Sequence, residues 1–222
     1  MALNAAEEET LEAVKSWWQE NGKPLVATVI VILASYTGWL LWQNSTLDQA
    51  AAASDMYEEI LSLVLEDPEQ AVSAEDSTRI LTISDQLREQ HGDSIYAKFA
   101  ALFAAQQAVA QGDLARAESE LQWILDNPGQ GLFGEVDQGL ILATSLRLGR
   151  VILAQGDAER ALNLVNSVDP QSFEPGFAEL RGDIYLAMDR VVDARDAYIA
   201  AQQAGSNSDG LRMKLDNLPG PG

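Results

Sequence analysis

Residues 110–125 read AQGDLARAESELQWIL, residues 154–168 read AQGDAERALNLVNSV, and residues 187–201 read AMDRVVDARDAYIAA. These are one pattern written three times. Each begins with a short polar turn, at Gly112, Gly156 or Asp189. An alanine follows five residues on (Ala117, Ala161, Ala194), and a larger apolar or aromatic residue four beyond that (Leu121, Val165, Tyr198). Seven residues before each turn stands a small residue: Ala105, Gly149 or Gly182. Residues four apart share a helix face, so each phrase predicts a helix, a tight turn and a second helix. Small side chains on the first helix let the second approach closely. The larger residue of the second helix is expected to fill the groove of the next repeat.

The turns stand 44 and 33 residues apart. A period of about 34 residues, with small residues where antiparallel helices touch, is the tetratricopeptide signature. Pro128 and Pro170 are expected to end the second helices of the first two units. The surplus of the longer interval is NPGQGLFGEVDQG, residues 127–139, read as an insertion in a loop between repeats. Upstream, Leu47, Ala51, Ser54, Tyr57, Leu61 and Val64 recur at helical spacing. After Asp67-Pro68 an amphipathic helix is predicted over 76–90, with Ile80, Ile83 and Leu87 on one face. This divergent pair would cap the array. A last helix is expected over about 206–217, and Pro219-Gly220-Pro221-Gly222 reads as a disordered tail. The expected fold is all-α, with a tetratricopeptide-like α-solenoid of about four helix pairs over residues 43–218.

The first 42 residues obey another rule. From Leu25 to Trp42 the chain reads LVATVIVILASYTGWLLW, without a charge. About 20 apolar residues cross a hydrocarbon core, so 25–42 is read as a transmembrane helix surrounded by membrane lipid. Trp17 and Trp18 before it, and Tyr36, Trp39 and Trp42 at its far end, suit the two interfaces. The apolar run exceeds the usual ~7–15 residues of a signal peptide, and bulky Trp39 and Trp42 stand where small cleavage-site residues belong, so a retained signal anchor is expected. Lys15 and Lys23 precede the span, whereas the first basic residue after it is Arg79. That bias places the N-terminus in the cytoplasm and the remainder across the membrane, in a bacterium in the periplasm. Residues 4–21 read as a helix of their own, stopped at Gly22 and Pro24, with Leu11, Val14 and Trp18 on one face. Residues 1–24 are therefore expected to lie on the cytoplasmic membrane surface. Within the span, Ala34 and Gly38 form a small-xxx-small pair that would let another helix pack closely.

Composition and motifs exclude much chemistry. The chain carries 34 Asp and Glu against 14 Lys and Arg, a formal charge of −20, which repels nucleic acid. It contains no cysteine, which removes thiol catalysis and thiolate metal sites. His91 is the sole histidine, so sites needing two imidazoles are out, and no nucleophile-elbow sequence accompanies it and Ser94. Gly129, Gly131 and Gly134 spell G-x-G-x-x-G but follow a helix end rather than a strand, which reads as a loop. No enzyme, cofactor or metal site is expected.

A helix-pair solenoid offers a groove lined by the first helix of each pair. Aligning the three units places Phe99, Leu102, Gln106, Val109, Arg147, Arg150, Asp183 and Leu186 near it. Apolar residues stand where a carboxylate clamp would need basic ones, so a mixed apolar groove for unfolded or helical partners is expected. The stretch LEAVKSWWQENGKPL, the span with Gly38, Trp39 and Trp42, SLRLGRVILAQGDAERAL, AELRGDIYLAMDRVVDARDAY and Met213 to Leu218 together resemble the YfgM family, the ancillary subunits of the bacterial SecYEG translocon. The resemblance implies a single-pass inner-membrane protein with a periplasmic tetratricopeptide-like domain. It also implies association with SecYEG and with the membrane-anchored chaperone PpiD, and help for exported polypeptides leaving the channel. Without it, a cell-envelope assembly or division scaffold fits the same residues.

Overall fold

The computed structural model describes residues 5–65, 71–128 and 137–219. The Asp67-Pro68 turn, the three glycines of the 129–134 motif and residues 220–222 of the tail lie outside them. Among the described residues nearly all are helical and none is in a strand: α1 Ala5–Leu65, α2 Ala74–His91, α3 Ile95–Ala110, α4 Leu114–Asp126, α5 Gln138–Ala154, α6 Ala158–Ser167, α7 Glu174–Ala187, α8 Val191–Gln203 and α9 Asp209–Asp216. The chain divides into two compact units, Met1–Ala51 and Ala52–Gly222.

In the second unit the end of α1 with α2, then α3 with α4, α5 with α6 and α7 with α8 form four helix pairs, and α9 follows. Consecutive helices from α2 onward pack on one another, and α5 also meets α7, the first helix of the next pair. The turns follow from local chemistry. Gly112, Gly156, Asp189 and Gly205 adopt φ of 78°, 89°, 61° and 110°. At each, the following N–H reaches back to a carbonyl five residues earlier, Asp113 to Ala108 at 2.9 Å and Arg190 to Tyr185 at 2.8 Å. That is the Schellman closure of a helix end, which needs a residue tolerant of the left-handed region. Three of the four helices that follow, all but α8, then start on side-chain caps. Asp113 accepts from the Arg116 N–H and Asp157 from the Arg160 N–H, as Ser73, Ser94, Asp137 and Ser208 do elsewhere. Each such cap is worth about 0.5–2 kcal/mol.

Ala117, Ala161 and Ala194 are fully buried. The small residues of the first helices are covered as expected, though not always by the expected neighbour. A Cβ on Gly182 would lie 2.3 Å from the Tyr198 ring, and one on Gly149 would lie 2.8 Å from Leu180 and 3.5 Å from Val165. Tyr198 and Val165 thus pack on the first helix of their own pair rather than filling the next repeat. Leu180, from the next first helix, takes that role, because α5 and α7 are in contact.

Expectations also change at the end of α1 and at Pro24. The buried face of the end of α1 is set by Ala53 and Ile60, with Met56, Tyr57, Leu63 and Val64 packed beside them. Leu47 is exposed. Arg116 is not a plain surface residue: it pairs with Asp85 at 2.8 Å and with buried Glu120 at 3.5 Å, joined there by Arg88. Within the first unit, α1 continues through Gly22 and Pro24 instead of stopping. Trp18 lies over Gly22, Asn21 donates to the Trp17 carbonyl at 3.1 Å, and Thr28 donates to the Pro24 carbonyl at 2.9 Å. These side chains supply packing and hydrogen bonds around the place where proline removes a backbone donor. Residues Thr10–Leu41 are long and apolar enough to cross a membrane, and the apolar 18-residue window within them is not buried within the chain. A Cβ on Gly38 would meet nothing within 4 Å.

Candidate functional site

A groove of the second unit has a volume of about 650 Å³. It grows from α3, where Phe99, Leu102, Gln106 and Val109 follow one another at helical spacing and so form one stripe. Phe103 and Ala105 flank it, Leu114 and Leu121 of α4 floor it, and Arg147, Arg150, Val151 and Ala154 of α5 make the opposite wall. Tyr57, from α1, closes one end. Its ring stands 5.6 Å from Tyr96, 6.1 Å from Phe99 and 6.2 Å from Phe103, tilted in each case, a favourable arrangement for aromatic rings. Burial raises the Tyr57 hydroxyl above its ordinary pKa, so it stays neutral.

Six of the eight residues placed near a groove by sequence alignment line this one. Asp183 and Leu186 do not. Asp183 accepts from the buried Tyr198 hydroxyl at 2.8 Å and from Lys214 Nζ at 2.8 Å, tying α7, α8 and α9 together. Leu186 sits on an exposed stretch of α7. For Lys214 burial works against the charge, but the hydrogen bonds it donates to Asp183 and Glu179 outweigh it and raise its pKa. Tyr57 was missed as a groove residue because it belongs to the divergent first pair, which the three-phrase alignment does not reach. The helical spacing of Tyr57 with Leu61 and Val64 carried the signal.

The groove is electrostatically distinctive. Among the described residues its lining includes no Asp or Glu, although the chain has 34, and its charged members are Arg147 and Arg150. Elsewhere polar side chains serve structure. Lys98, buried beside the Trp123 ring, donates to the Gly92 carbonyl at 2.8 Å, and burial lowers its pKa. Ser94, considered beside His91, caps α3. Among the described residues no group of three metal-ligating side chains comes together.

Comparison with known proteins extends this geometry. The family model of the tetratricopeptide repeat-like domain matches residues 15–220. An ancillary SecYEG translocon subunit of Haemophilus influenzae is 33% identical over 220 residues, covering 98% of this chain and 100% of its own. Proteins of the same name from Escherichia coli and Neisseria gonorrhoeae are 28% and 29% identical, over 98% of this chain and 99% and 100% of theirs. The chain belongs to the ancillary SecYEG translocon subunit family. The aligned region of this family runs through the membrane-span candidate as well as the helix pairs, so anchor and repeats are matched in one collinear stretch. No solved structure matches the chain significantly.

Proposed function

We propose that this chain is a non-catalytic ancillary subunit of the Sec translocon. Residues 25–42 hold it in the bacterial inner membrane with residues 1–24 in the cytoplasm, and the helix pairs stand in the periplasm. There they hold exported polypeptides as these leave the channel, in company with the membrane-anchored chaperone PpiD. The observation that carries this reading is the open apolar groove of α3, α4 and α5, a surface suited to a polypeptide segment rather than to a reacting small molecule. The names of the relatives supply the translocon.

Affinity isolation from membranes in mild detergent tests it. SecYEG and PpiD are expected to dominate the co-isolated proteins, and substituting Phe99 and Leu102 by Ser is expected to release exported polypeptides while leaving the translocon bound. Recovery of division or envelope-assembly proteins in their place would favour the scaffold reading. A reporter active only outside the cytoplasm should work after Gly222 and fail before Met1. The opposite pattern would refute both orientation and function.

A further inference from the structure

Resting on that reading of the groove, we propose that it selects polypeptide segments presenting a carboxylate beside their apolar residues, with Arg147 and Arg150 receiving the carboxylate.

The second unit holds twelve Lys and Arg residues. Eight pair with carboxylates of the chain itself, as Arg79 does with Glu59 at 2.6 Å and Arg190 with Asp193 at 2.7 Å. Two more, Lys98 and Arg195, donate to backbone carbonyls. Arg147 and Arg150 remain. Among the described residues, Arg147 makes one long contact of 3.4 Å to the Ala143 carbonyl of its own helix, and Arg150 makes none. Among the described residues of a chain with 34 carboxylates, three guanidinium groups have no carboxylate partner: Arg195 is taken up by the Leu218 and Pro219 carbonyls, whereas Arg147 and Arg150, three residues apart on one helix face, both line the same groove.

The surroundings narrow the ligand. The rest of the lining is apolar apart from Gln106 and the Tyr57 hydroxyl, so an occupant must bring apolar side chains. The arginine stems extend that wall, while their heads present a planar fork of donors matched to a carboxylate. A polyanion such as nucleic acid is opposed by the charge of −20, which a single local carboxylate largely escapes. The volume of about 650 Å³ accepts a few side chains of one extended or helical segment.

The test uses the full chain in lipid nanodiscs and three labelled synthetic peptides. Each is a short amphipathic helix with Leu and Phe anchors, differing only in carrying Glu, Gln or Lys one turn from the anchors. Fluorescence anisotropy should rank them Glu over Gln over Lys, with Glu about tenfold tighter than Lys and the gap narrowing as salt rises. Arg147→Glu/Arg150→Glu should invert the ranking, and Arg147→Gln/Arg150→Gln should abolish it while Gln-peptide affinity holds. Equal affinities for Glu and Gln peptides, or a ranking unchanged in both variants, would overturn the proposal. So would failure of all three peptides to bind. Co-isolation of the translocon is read separately, so the ancillary role can stand if this selectivity fails.

Discussion

Replacing Gly182 by alanine sets two effects of known sign against each other. In an ordinary helix the change stabilises by about 1 kcal/mol through backbone entropy. Here the new methyl would stand 2.3 Å from Cδ1 and Cε1 of Tyr198, where carbon atoms prefer about 3.5–4.0 Å. The ring must retreat by more than about 1 Å, and it is fully buried, with its hydroxyl held by Asp183 at 2.8 Å. Overpacking of this kind costs about 1–3 kcal/mol. Because a tethered ring rather than a free methyl must move, the upper part of that range applies, leaving a net loss of about 1–2 kcal/mol. For a domain of this size that lowers the melting temperature by about 2–8 °C, measurable by circular dichroism on the detergent-solubilised chain. Gly149→Ala makes the control, since its close neighbour at 2.8 Å is a terminal methyl of Leu180 that can rotate away. In a Tyr198→Ala background the loss at 182 should vanish. A Gly182→Ala variant more stable than the parent, or less harmed than Gly149→Ala, would refute the packing argument.

Other outcomes follow from the same contacts. Ala117→Leu, Ala161→Leu and Ala194→Leu should each cost about 1–3 kcal/mol by urea unfolding, and exposed Glu159→Ala under about 0.5 kcal/mol; equal losses would mean the repeat register is wrong. Two carboxyls of α4 shift oppositely: Arg160's hydrogen bond lowers Glu118, whereas burial raises Glu120 despite Arg88 and Arg116. Stability from Glu118 is present above the unfolded value of 4.5 and lost as pH falls through its lower folded value, and the Glu120 contribution is present below 4.5 and lost as pH rises through its higher one. Glu118→Gln should therefore flatten the acid loss of stability and Glu120→Gln steepen it, read from urea midpoints across about pH 3–7. Replacing residues 25–42 by an unrelated span of equal length should reduce translocon recovery if Ala34 and Gly38 pack against a partner helix, and intact recovery would assign recognition to the repeats alone.

What the sequence revealed and what it hid have physical reasons. The turns were legible because a Schellman end demands a left-handed residue, and Gly112 and Gly156 announce one. The fourth such turn, at Gly205, follows a second helix rather than a first, so the phrase alignment passed over it. Buried alanines were legible because close helix contact leaves no alternative residue size. The face of α1 slipped because Ala53 ends the run Ala50-Ala51-Ala52-Ala53, and runs of alanine carry no phase. Pro24 was misjudged because local rules disfavour a mid-helix proline, whereas here the helix runs on through it, with Trp18 packed over Gly22 and Asn21 and Thr28 bonding to nearby carbonyls. Asp183 misled because a repeat alignment fixes a helix face, but α9, which comes after the last repeat, covers that face and supplies Lys214.

The groove's charge also bears on how a strongly acidic chain can select an acidic segment without repelling it. At physiological ionic strength charges are screened beyond about 8 Å, so the overall −20 weakens within a short distance of the surface. Two guanidinium groups on an apolar wall with no lining carboxylate act inside that distance, where screening is less effective. Most other basic residues of the repeats are already bound to carboxylates of the chain, so they add little field of their own. Attraction is therefore confined to the place where apolar side chains also dock, and an acidic protein lacking an apolar anchor gains nothing from approaching elsewhere. Selectivity arises from two weak requirements met at one site, which favours a contact released as readily as it forms. Such reversibility is what the proposed role of holding an exported polypeptide and releasing it would require.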